Sequence, residues 1–223
     1  KNAPIGVFDS GVGGLTVARE IMRQMPEERI VYFGDTARVP YGSKSQDTII
    51  RYSRQIIRFL MTKHVKAIVI ACNTASAYAL ATVEKEFDVP IIGVIRAGAR
   101  TAGQVTRNGK IGVIATEGTI GSGIYTQEIK KLRPDIEVTG KPCPLFVPLV
   151  ENGWIQPDNA VTRQTAEIYL RSVKEAEVDT LILGCTHFPL LAPIIEQVLP
   201  GVTLINSGRE AAIRCAGILQ QQG

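Results

Sequence analysis

The sequence has few of the features that mark secreted, membrane-spanning or disulfide-rich proteins. Only four of its 223 residues are cysteine, and their spacings give neither a CxxC pair nor a recognisable zinc pattern. No apolar run approaches the roughly 20 residues that a membrane-spanning helix requires, and the N-terminus begins a strand pattern rather than a signal peptide. We therefore expect free thiols, no membrane partner, no metal and a cytoplasmic location.

An excess of charge of one sign is also lacking. The chain has 25 basic and 21 acidic residues, a net charge of +4, and its like charges form no block. Aromatic residues make up only 6% of the chain and seldom alternate with basic ones. This composition argues against nucleic acid as the main partner. The 45% apolar content is enough for a large buried core, in one large domain or two small ones.

What the sequence does contain is a regular alternation of short apolar runs with helical patterns. This alternation is typical of βαβ units and predicts an α/β fold with mostly parallel sheets. The predicted strands are 5–9, 30–34, 67–71, 90–94, 111–115, 136–139, 180–184 and 202–205. The predicted helices are 16–25, 45–63, 74–87, 127–132, 159–174, 193–198 and 209–219.

Two pairs of similar segments occur in the same order. The segment ACNT at 71–74 resembles GCTH at 184–187, and IGVFDSG at 5–11 resembles IGVIATE at 111–117. Chance similarity between hydrophobic strands could explain either pair alone, but both pairs in the same order favour a duplication. We predict the boundary between the halves within residues 96–109, where glycines and the turn-forming Asn108-Gly109 are clustered.

Cys72 and Cys185 each stand where a strand gives way to a helix, which is where α/β sheets place their chemistry. A thiolate at a helix N-terminus is expected to have a lowered pKa and to act as a nucleophile or base. Acyl transfer needs only one cysteine with a histidine partner. Two matched thiols are better explained by a symmetric reaction such as racemisation, in which one base removes the Cα proton and the other thiol returns a proton to the opposite face.

The alternative to a catalytic role is that a free cysteine packs in the core as a small hydrophobic side chain. We assign that role to Cys143 and Cys215, which lie in apolar or proline-flanked surroundings. The polar neighbours of Cys72 and Cys185 argue against it. The residues that follow these two thiols can bind a substrate carboxylate at a helix N-terminus or act as helix N-caps. They are Asn73, Thr74, Thr186 and His187.

Other candidates stand in loops and in one apolar stretch. His187 lies close enough in sequence to assist proton transfer at Cys185, although a structural hydrogen bond is its alternative. Asp9 opens a glycine-rich loop that lacks the third glycine of a dinucleotide-binding motif, so it is suited to a small cation such as an α-ammonium, or to capping a helix. The loop with Tyr41 either lines a site or turns a corner. Glu151 becomes a candidate if it proves buried.

Five motifs then identify a family resemblance. They are FDSGVGGLTV at 8–17, GDTARVPYG at 34–42, ACNTASA at 71–77, PLFVPLVE at 144–151 and LGCTHFPLL at 183–191. Together they extend over nearly the whole chain, which resembles the glutamate racemases of the cofactor-independent aspartate/glutamate racemase superfamily. The resemblance implies two pseudo-symmetric, duplicated three-layer α/β/α domains with the active site in the cleft between them. We expect the first domain to be residues 1–96 plus 208–223, carrying Cys72, and the second to be 97–207, carrying Cys185.

The resemblance also implies a function, the isomerisation of L-glutamate to D-glutamate for peptidoglycan synthesis, cell-wall biogenesis and cell shape. Cys72 and Cys185 would be the acid/base thiols, with Asp9, Glu151 and His187 as auxiliary catalytic groups. The implied substrate contacts are Asp9, Ser10, Tyr41, Gly42, Asn73, Thr74, Thr186 and His187. No cofactor is expected, since no lysine motif suggests pyridoxal phosphate, so preorganised donors must stabilise the carbanionic transition state.

Several alternatives stay open. An aspartate or hydantoin racemase of the same superfamily shares the cysteine pair, and a non-catalytic clamshell that binds a small anion would leave the thiols incidental. Glutamate is the expected small-molecule partner, and a homodimer is an alternative to a monomer.

Three departures from the family pattern stand out. Arg96-Ala97 replaces a common Glu-Pro, which we expect to alter the hinge between the halves, and His64 replaces a helix-ending glycine. A further C-terminal segment usual in the family does not follow Gly223, which suggests a trimmed sequence.

Overall fold

The computed structural model describes residues 2–222, which form two compact units. One unit contains the residues up to Ala97 together with those from Gly208 onward, and the other is Gly98–Ser207. Compactness does not test whether each unit folds independently, so the predicted domains stay a prediction. Residues 1 and 223, at the ends of the predicted first domain, lie outside the described part of the chain.

The first unit contains a parallel four-stranded sheet with the order β2-β1-β3-β4. Its strands are β1 Ile5–Asp9, β2 Ile30–Gly34, β3 Ala67–Ile70 and β4 Ile91–Gly93. The helices that follow these strands are α1 Leu15–Gln24, α2 Gln46–Met61, α3 Asn73–Val83 and α4 Val94–Val105, of which α4 continues into the second unit from Gly98. The core lies where β1 and β3 meet the apolar faces of α2 and α3. Burial of these apolar side chains is the main driving force for the arrangement.

The second unit repeats the same strand order, β6-β5-β7-β8, again with all strands parallel. Its strands are β5 Lys110–Ala115, β6 Glu137–Pro142, β7 Thr180–Gly184 and β8 Thr203–Asn206. Its helices are α5 Glu117–Ser122, α6 Ile124–Leu132, α7 Phe146–Glu151, α8 Ala160–Glu175, a 3₁₀ helix Phe188–Leu191 and α9 Ala192–Val198. Helix α10 Ser207–Gln221 follows β8 and belongs, from Gly208 onward, to the first unit. The predicted α/β class with two parallel sheets is therefore confirmed.

The strand register makes the two halves equivalent residue by residue near the cysteines. In the first sheet Phe8 pairs with Ile70, two residues before Cys72. In the second sheet Ile114 pairs with Leu183, two residues before Cys185. Cys72 therefore stands at the same position after β3 as Cys185 does after β7. Each of these strands is the neighbour of the strand that carries the IGV repeat, β1 or β5.

One segment differs from its prediction. The glycine cluster within 96–109 suggested turns, whereas the structure has helix α4 over Val94–Val105, and a turn only at Gly109, where φ is +73°. Gly98 within this helix allows close packing against Ser207: a Cβ at Gly98 would lie 2.3 Å from Ser207 Oγ. The glycine signal thus came from packing rather than from a break in the helix.

The chain segment before each cysteine-bearing strand has a left-handed residue. His64, at the end of the turn that follows α2, has a φ of +53°, and Glu177, after α8, has a φ of +54°. His64 therefore has the left-handed conformation that glycine favours, as expected from the helix-ending glycine that it replaces in the family pattern. No helix within residues 2–222 is long and apolar enough to span a membrane.

Candidate active site

In the first unit the site is built around Cys72, between β3 and α3. Cys72 is the N-cap of α3, and its Sγ accepts a hydrogen bond from the backbone N–H of Ala75 at 3.4 Å. The Ser10 side chain and backbone also hydrogen-bond to this sulfur. Asn73 therefore occupies the first helical turn and is not the N-cap considered as its alternative role.

The expected lowering of the Cys72 pKa is wrong. Burial of the thiol and the negative charge of Asp9 together raise the pKa to about 12, and the hydrogen bonds from Ala75 and Ser10 offset only part of this increase. The sequence argument considered only the helix N-terminus, which favours the thiolate. Removal of the side chain from water and a nearby carboxylate have the larger combined effect here.

Asp9 is held at the carboxyl end of β1 by its own loop. Its side chain is buried, and Oδ2 accepts the backbone N–H groups of Gly11 at 3.1 Å and of Gly14 at 3.0 Å. The carboxylate thus holds together the loop that leads into α1. The N-cap of α1 is Gly14, with no side-chain cap hydrogen bond, so Asp9 is not the helix cap considered as its alternative role. Asp9 also acts electrostatically on Cys72.

Tyr41 is buried beside Cys72, in the loop between β2 and α2. Burial raises its pKa, and so do the negative charges of Asp35 and Cys72 and the hydrogen bond that Tyr41 donates to Asp35 Oδ2. Asp35 in turn accepts two hydrogen bonds from Arg38 Nε, at 3.0 and 2.7 Å. Tyr41 is therefore fixed in its loop by a charged pair. Gly42, next to it, is exposed.

Sequence reasoning overlooked Asp35 and Arg38. Asp35 directly follows β2, just as Ser10 directly follows β1, and its backbone N–H donates to Asp9 O at 3.0 Å. A polar residue at the carboxyl end of a parallel strand was the available signal, because neighbouring strand ends converge at one sheet edge. Asn73 and Thr74, which were predicted, are buried in the first turn of α3 next to Cys72.

In the second unit three predicted residues form one connected chain of contacts. His187 Nε2 lies 3.0 Å from Glu151 Oε1, and His187 Nδ1 lies 3.7 Å from Cys185 Sγ. Thr186 Oγ1 is also 3.4 Å from His187 Nδ1. Cys185 and Thr186 are buried, whereas 49% of the Glu151 side chain is exposed. The condition that Glu151 be buried is therefore not met, and its connection to the site is the hydrogen bond to His187.

The backbone explains how these residues meet. Cys185 and Thr186 follow β7 directly, and His187 is the N-cap of the 3₁₀ helix that comes next. Glu151 is the last residue of α7, a short helix that sequence reasoning did not predict. The packing of Phe146 in α7 edge-on against Phe188, at a centroid distance of 5.2 Å, brings the two segments together. Sequence spacing contains no signal for this contact.

The other two cysteines lie in apolar cores. Cys143 and Cys215 are fully buried, and burial raises their pKa values to about 12 and about 11 respectively. Neither follows a strand that carries the repeat. Among residues 2–222 no group of three His, Cys, Asp or Glu side chains is arranged to hold a metal ion.

The arrangement of each thiol suits proton transfer. A thiol beside a carboxylate and helix-start N–H groups can bind a charged substrate and exchange a proton with it. In the first unit the carboxylate comes from Asp9, the last residue of β1, whereas the last residue of β5 is Ala115. The second unit has a histidine instead. The two thiols are therefore equivalent in backbone position but differ in their polar neighbours.

Comparison with known proteins places this site in context. The family model for Asp/Glu/hydantoin racemases matches residues 5–215. A glutamate racemase of Geobacter metallireducens is 53% identical over 217 residues, which are 97% of this chain and 80% of that protein. A crystal structure of a glutamate racemase isoform from Bacillus anthracis superimposes with a TM-score of 0.96 at 45% identity, covering 100% of this chain and 84% of the other.

A second solved structure is the glutamate racemase of Francisella tularensis in complex with D-glutamate. It has a TM-score of 0.92 and 41% identity, over 99% of this chain and 82% of that one. An aspartate racemase of Picrophilus torridus, at 20% identity and a TM-score of 0.71, shares the fold alone. The chain thus spans about four fifths of the length of the glutamate racemases that it matches.

Proposed function

Because the chain belongs to the Asp/Glu/hydantoin racemase family, we propose that it interconverts L- and D-glutamate with Cys72 and Cys185 as two acid/base groups. The observation that carries the proposal is the equivalent placement of the two thiols, each two residues beyond the pairing of its strand with the IGV strand. The named function of the relatives supports glutamate as the substrate.

The proposed reaction conserves protons in each turnover. One cysteine, as thiolate, takes the proton from Cα and becomes a thiol, and the other cysteine, as thiol, gives its proton to the opposite face of the carbanion and becomes a thiolate. The reverse reaction uses the same groups with exchanged roles. Neither an electron sink nor a net change of protonation is needed, so we propose that the reaction proceeds without a cofactor.

The raised pKa of Cys72 is consistent with this role. A thiol with a pKa of about 12 rests protonated near neutral pH, and once deprotonated it is a stronger base toward the weakly acidic Cα proton than an ordinary thiolate. A substrate α-ammonium near Asp9 would offset the charge that raises this pKa. We therefore propose that substrate binding through Asp9 and Ser10 activates Cys72.

The second thiol has a different auxiliary apparatus. His187 Nδ1 lies 3.7 Å from Cys185 Sγ, and Nε2 lies 3.0 Å from Glu151 Oε1, so the carboxylate fixes the orientation of the ring. We propose that this pair assists proton transfer at Cys185. The remaining proposed substrate contacts are Tyr41, Gly42, Asn73, Thr74 and Thr186.

The test of this function is isotopic. The protein is incubated with L-glutamate in D₂O without added cofactor, and chiral chromatography with mass spectrometry follows the products. We expect D-glutamate with deuterium at Cα, because the returning proton comes from a thiol that has exchanged with solvent. If neither D-glutamate nor Cα deuterium forms, the proposal is wrong. A panel of amino acids and hydantoins tests the choice of substrate. If kcat/KM is higher for aspartate or for a hydantoin than for glutamate, that compound and not glutamate is the substrate.

We further propose that the D-glutamate feeds peptidoglycan synthesis in the cytoplasm. The expected result is that the gene restores growth of a D-glutamate auxotroph without added D-glutamate. A double variant Cys72→Ser/Cys185→Ser is the control that should fail to do so. Loss of rescue by the wild-type protein despite activity in the purified enzyme would contradict the cellular role alone.

A further inference from the structure

Tyr32 is a polar side chain near Cys72 that neither the sequence reasoning nor the proposed mechanism uses. It lies on β2, where it pairs with Val7 of β1, two residues before the pairing of Gly34 with Asp9. Residues two apart on a strand project to the same face, so Tyr32 and Gly34 share one face of the sheet. The half-buried phenol is close enough to Asp9 and Cys72 for their charges to act on it.

The hydroxyl of Tyr32 is bound to the loop that follows β1. It donates a hydrogen bond to the backbone carbonyl of Gly11 at 2.6 Å. The backbone of Gly14 passes so close that a Cβ there would lie 2.7 Å from Tyr32 Oη and 2.4 Å from Asp9 Cβ. A Cβ on Gly34 would lie 2.7 Å from Gly11 O and 3.2 Å from Tyr32 Cε1. The loop therefore packs against the phenol and Gly34 with no space for added side-chain atoms.

The same loop holds the two groups that act on Cys72. Asp9 Oδ2 accepts the N–H groups of Gly11 and Gly14, so its position depends on where these two glycines lie. Ser10, between Asp9 and Gly11, hydrogen-bonds to the Cys72 sulfur. A shift of the Gly11 carbonyl would consequently move both the carboxylate and the serine relative to the thiol.

From this geometry we infer that Tyr32 is a positioning residue for proton transfer at Cys72, acting through the Asp9–Gly14 loop without touching the reacting atoms. The inference rests on the proposed two-thiol function. Burial raises the pKa of Tyr32, and the charges of Asp9 and Cys72 raise it further, so the phenol remains a hydrogen-bond donor at every pH at which the protein is used. It orients the loop and transfers no proton.

The variant that tests this is Tyr32→Phe, which removes the hydroxyl and keeps the ring. We expect kcat/KM to fall by about ten- to a hundredfold, because small displacements at a reacting centre have effects of this size. The equilibrium constant of a racemisation is one, so kcat/KM must fall equally in both directions. The fall by itself therefore does not identify the affected thiol.

Deuterium isotope effects do identify it. The kcat/KM values of L-glutamate and D-glutamate are measured with Cα–H and Cα–D substrates. If proton transfer at Cys72 alone is slowed, the isotope effect should rise for the enantiomer that Cys72 deprotonates, since that step then limits the rate. It should fall toward one for the other enantiomer, since a slow reprotonation by Cys72 then follows a reversible deprotonation. A purely structural loss lowers kcat/KM without such opposite changes.

Gly34→Ala is a second variant that keeps the tyrosine. Its methyl group meets both the Gly11 carbonyl and the Tyr32 ring and should displace the loop, so we expect the same pair of opposite isotope-effect changes. This variant keeps the inference testable if Tyr32→Phe does not fold. Gly217→Ala is its control, because a Cβ at Gly217 on α10 meets no atom within 4 Å.

Thr62→Val is the control for the lost hydroxyl. Thr62 Oγ1 also donates to a backbone carbonyl at 2.6 Å, that of Phe59, but at the exposed end of α2. Both controls should keep the wild-type isotope effects. The inference is wrong if Tyr32→Phe and Gly34→Ala show unchanged isotope effects, or changes of the same sign for both enantiomers. In that case an active wild-type enzyme still preserves the proposed function. A wild-type protein that exchanges no Cα proton would overturn both.

Discussion

At the scale of single residues, the two thiols share a backbone position and differ in their surroundings. Cys72 caps α3, with Asp9 and Ser10 beside it, whereas Cys185 contacts His187. The position equivalent to Asp9 is Ala115, which has no charge to offer. Equivalent backbone positions thus have two different electrostatic environments, because the residues at the strand ends differ. The substrate has two different faces, and unlike neighbours suit them.

The first prediction concerns the charge of Asp9. Asp9→Asn keeps an oxygen that can accept the N–H groups of Gly11 and Gly14 but removes the charge, so the pKa of Cys72 should fall from its raised value. At a fixed pH of about 8.5, iodoacetamide should alkylate Cys72 faster, by roughly tenfold for each unit by which the pKa falls. Peptide mass spectrometry gives the rate. Asp47→Asn, at an exposed site in α2, is the control, and a slower reaction or equal rates for both variants would contradict the prediction.

At the scale of elements, each cysteine-bearing strand is entered through a tight junction. His64 precedes β3 and Glu177 precedes β7, both in the left-handed conformation. In the second unit, hydrogen bonds to Asp179 connect the start of β7 to the segment between α4 and β5. Its carboxylate accepts hydrogen bonds from Thr106 Oγ1 at 2.6 Å and from the N–H groups of Arg107 and Asn108 at 2.7 and 2.8 Å.

These hydrogen bonds predict that the stability of the protein depends on pH through Asp179. Burial would raise the pKa of Asp179, but hydrogen bonds from Thr106, Asn108, Arg107 and Thr180 lower it to about 2. A depressed carboxyl pKa contributes stability that is fully present above the unfolded value, near 3.8, and that is lost as the pH falls toward 2. Asp179→Asn places an amide nitrogen near backbone donors. This substitution should lower the free energy of unfolding at pH 7 by about 1–2 kcal/mol. The loss lies at the lower end of the usual range for a hydrogen-bonded charged group, because Asp179 is partly exposed.

Thermal unfolding measured between pH 7 and pH 2.5 tests it. The difference in Tm between the wild type and Asp179→Asn should be roughly 2–8 °C at pH 7 and should shrink below pH 4. Asp135→Asn, which loses an exposed pair with Arg133, is the control and should change Tm little. A Tm difference that grows on acidification would show that the sign is wrong.

At the scale of the whole molecule, the proposed function depends on both units, since each contributes one of the two thiols proposed as acid/base groups. A variant with a single thiol can still remove and return a proton on one face of Cα. In D₂O, Cys72→Ser should therefore exchange the Cα proton of one glutamate enantiomer without inversion, and Cys185→Ser that of the other. Racemisation should fall by at least about 10³-fold in both, because serine is a far weaker acid than cysteine at this task.

Nuclear magnetic resonance of each enantiomer follows the exchange. Cys215→Ala, in a buried position on α10, is the control and should retain racemisation. Exchange of the same enantiomer by both single-thiol variants would contradict the two-base reaction. Full racemisation by either variant would do so as well.

How much was predictable differs between fold and site. Seven of the eight strands were predicted to within one residue at each end, because buried parallel strands are short, continuous apolar runs. Strand β6 extends three residues beyond its predicted end, since its exposed and polar residues give no such run. Helix α4 was missed because Gly98 and Gly103 disfavour a helix locally, and the contact of Gly98 with Ser207 that explains the first glycine is distant in sequence. Helices α5 and α7, each six residues long, were too short for a periodic pattern.

The sequence by itself determined the fold class, the repeat and the two thiols at strand ends, because these follow from local apolar patterns and their order. Only the tertiary structure decided the ionisation of Cys72, whose raised pKa reverses the expectation from its helix position. It also decided the contact of Glu151 with His187, 36 residues apart in sequence, and the support of the Asp9 loop by Tyr32 from a neighbouring strand. Burial and contacts between distant segments set these properties, and no local pattern records them.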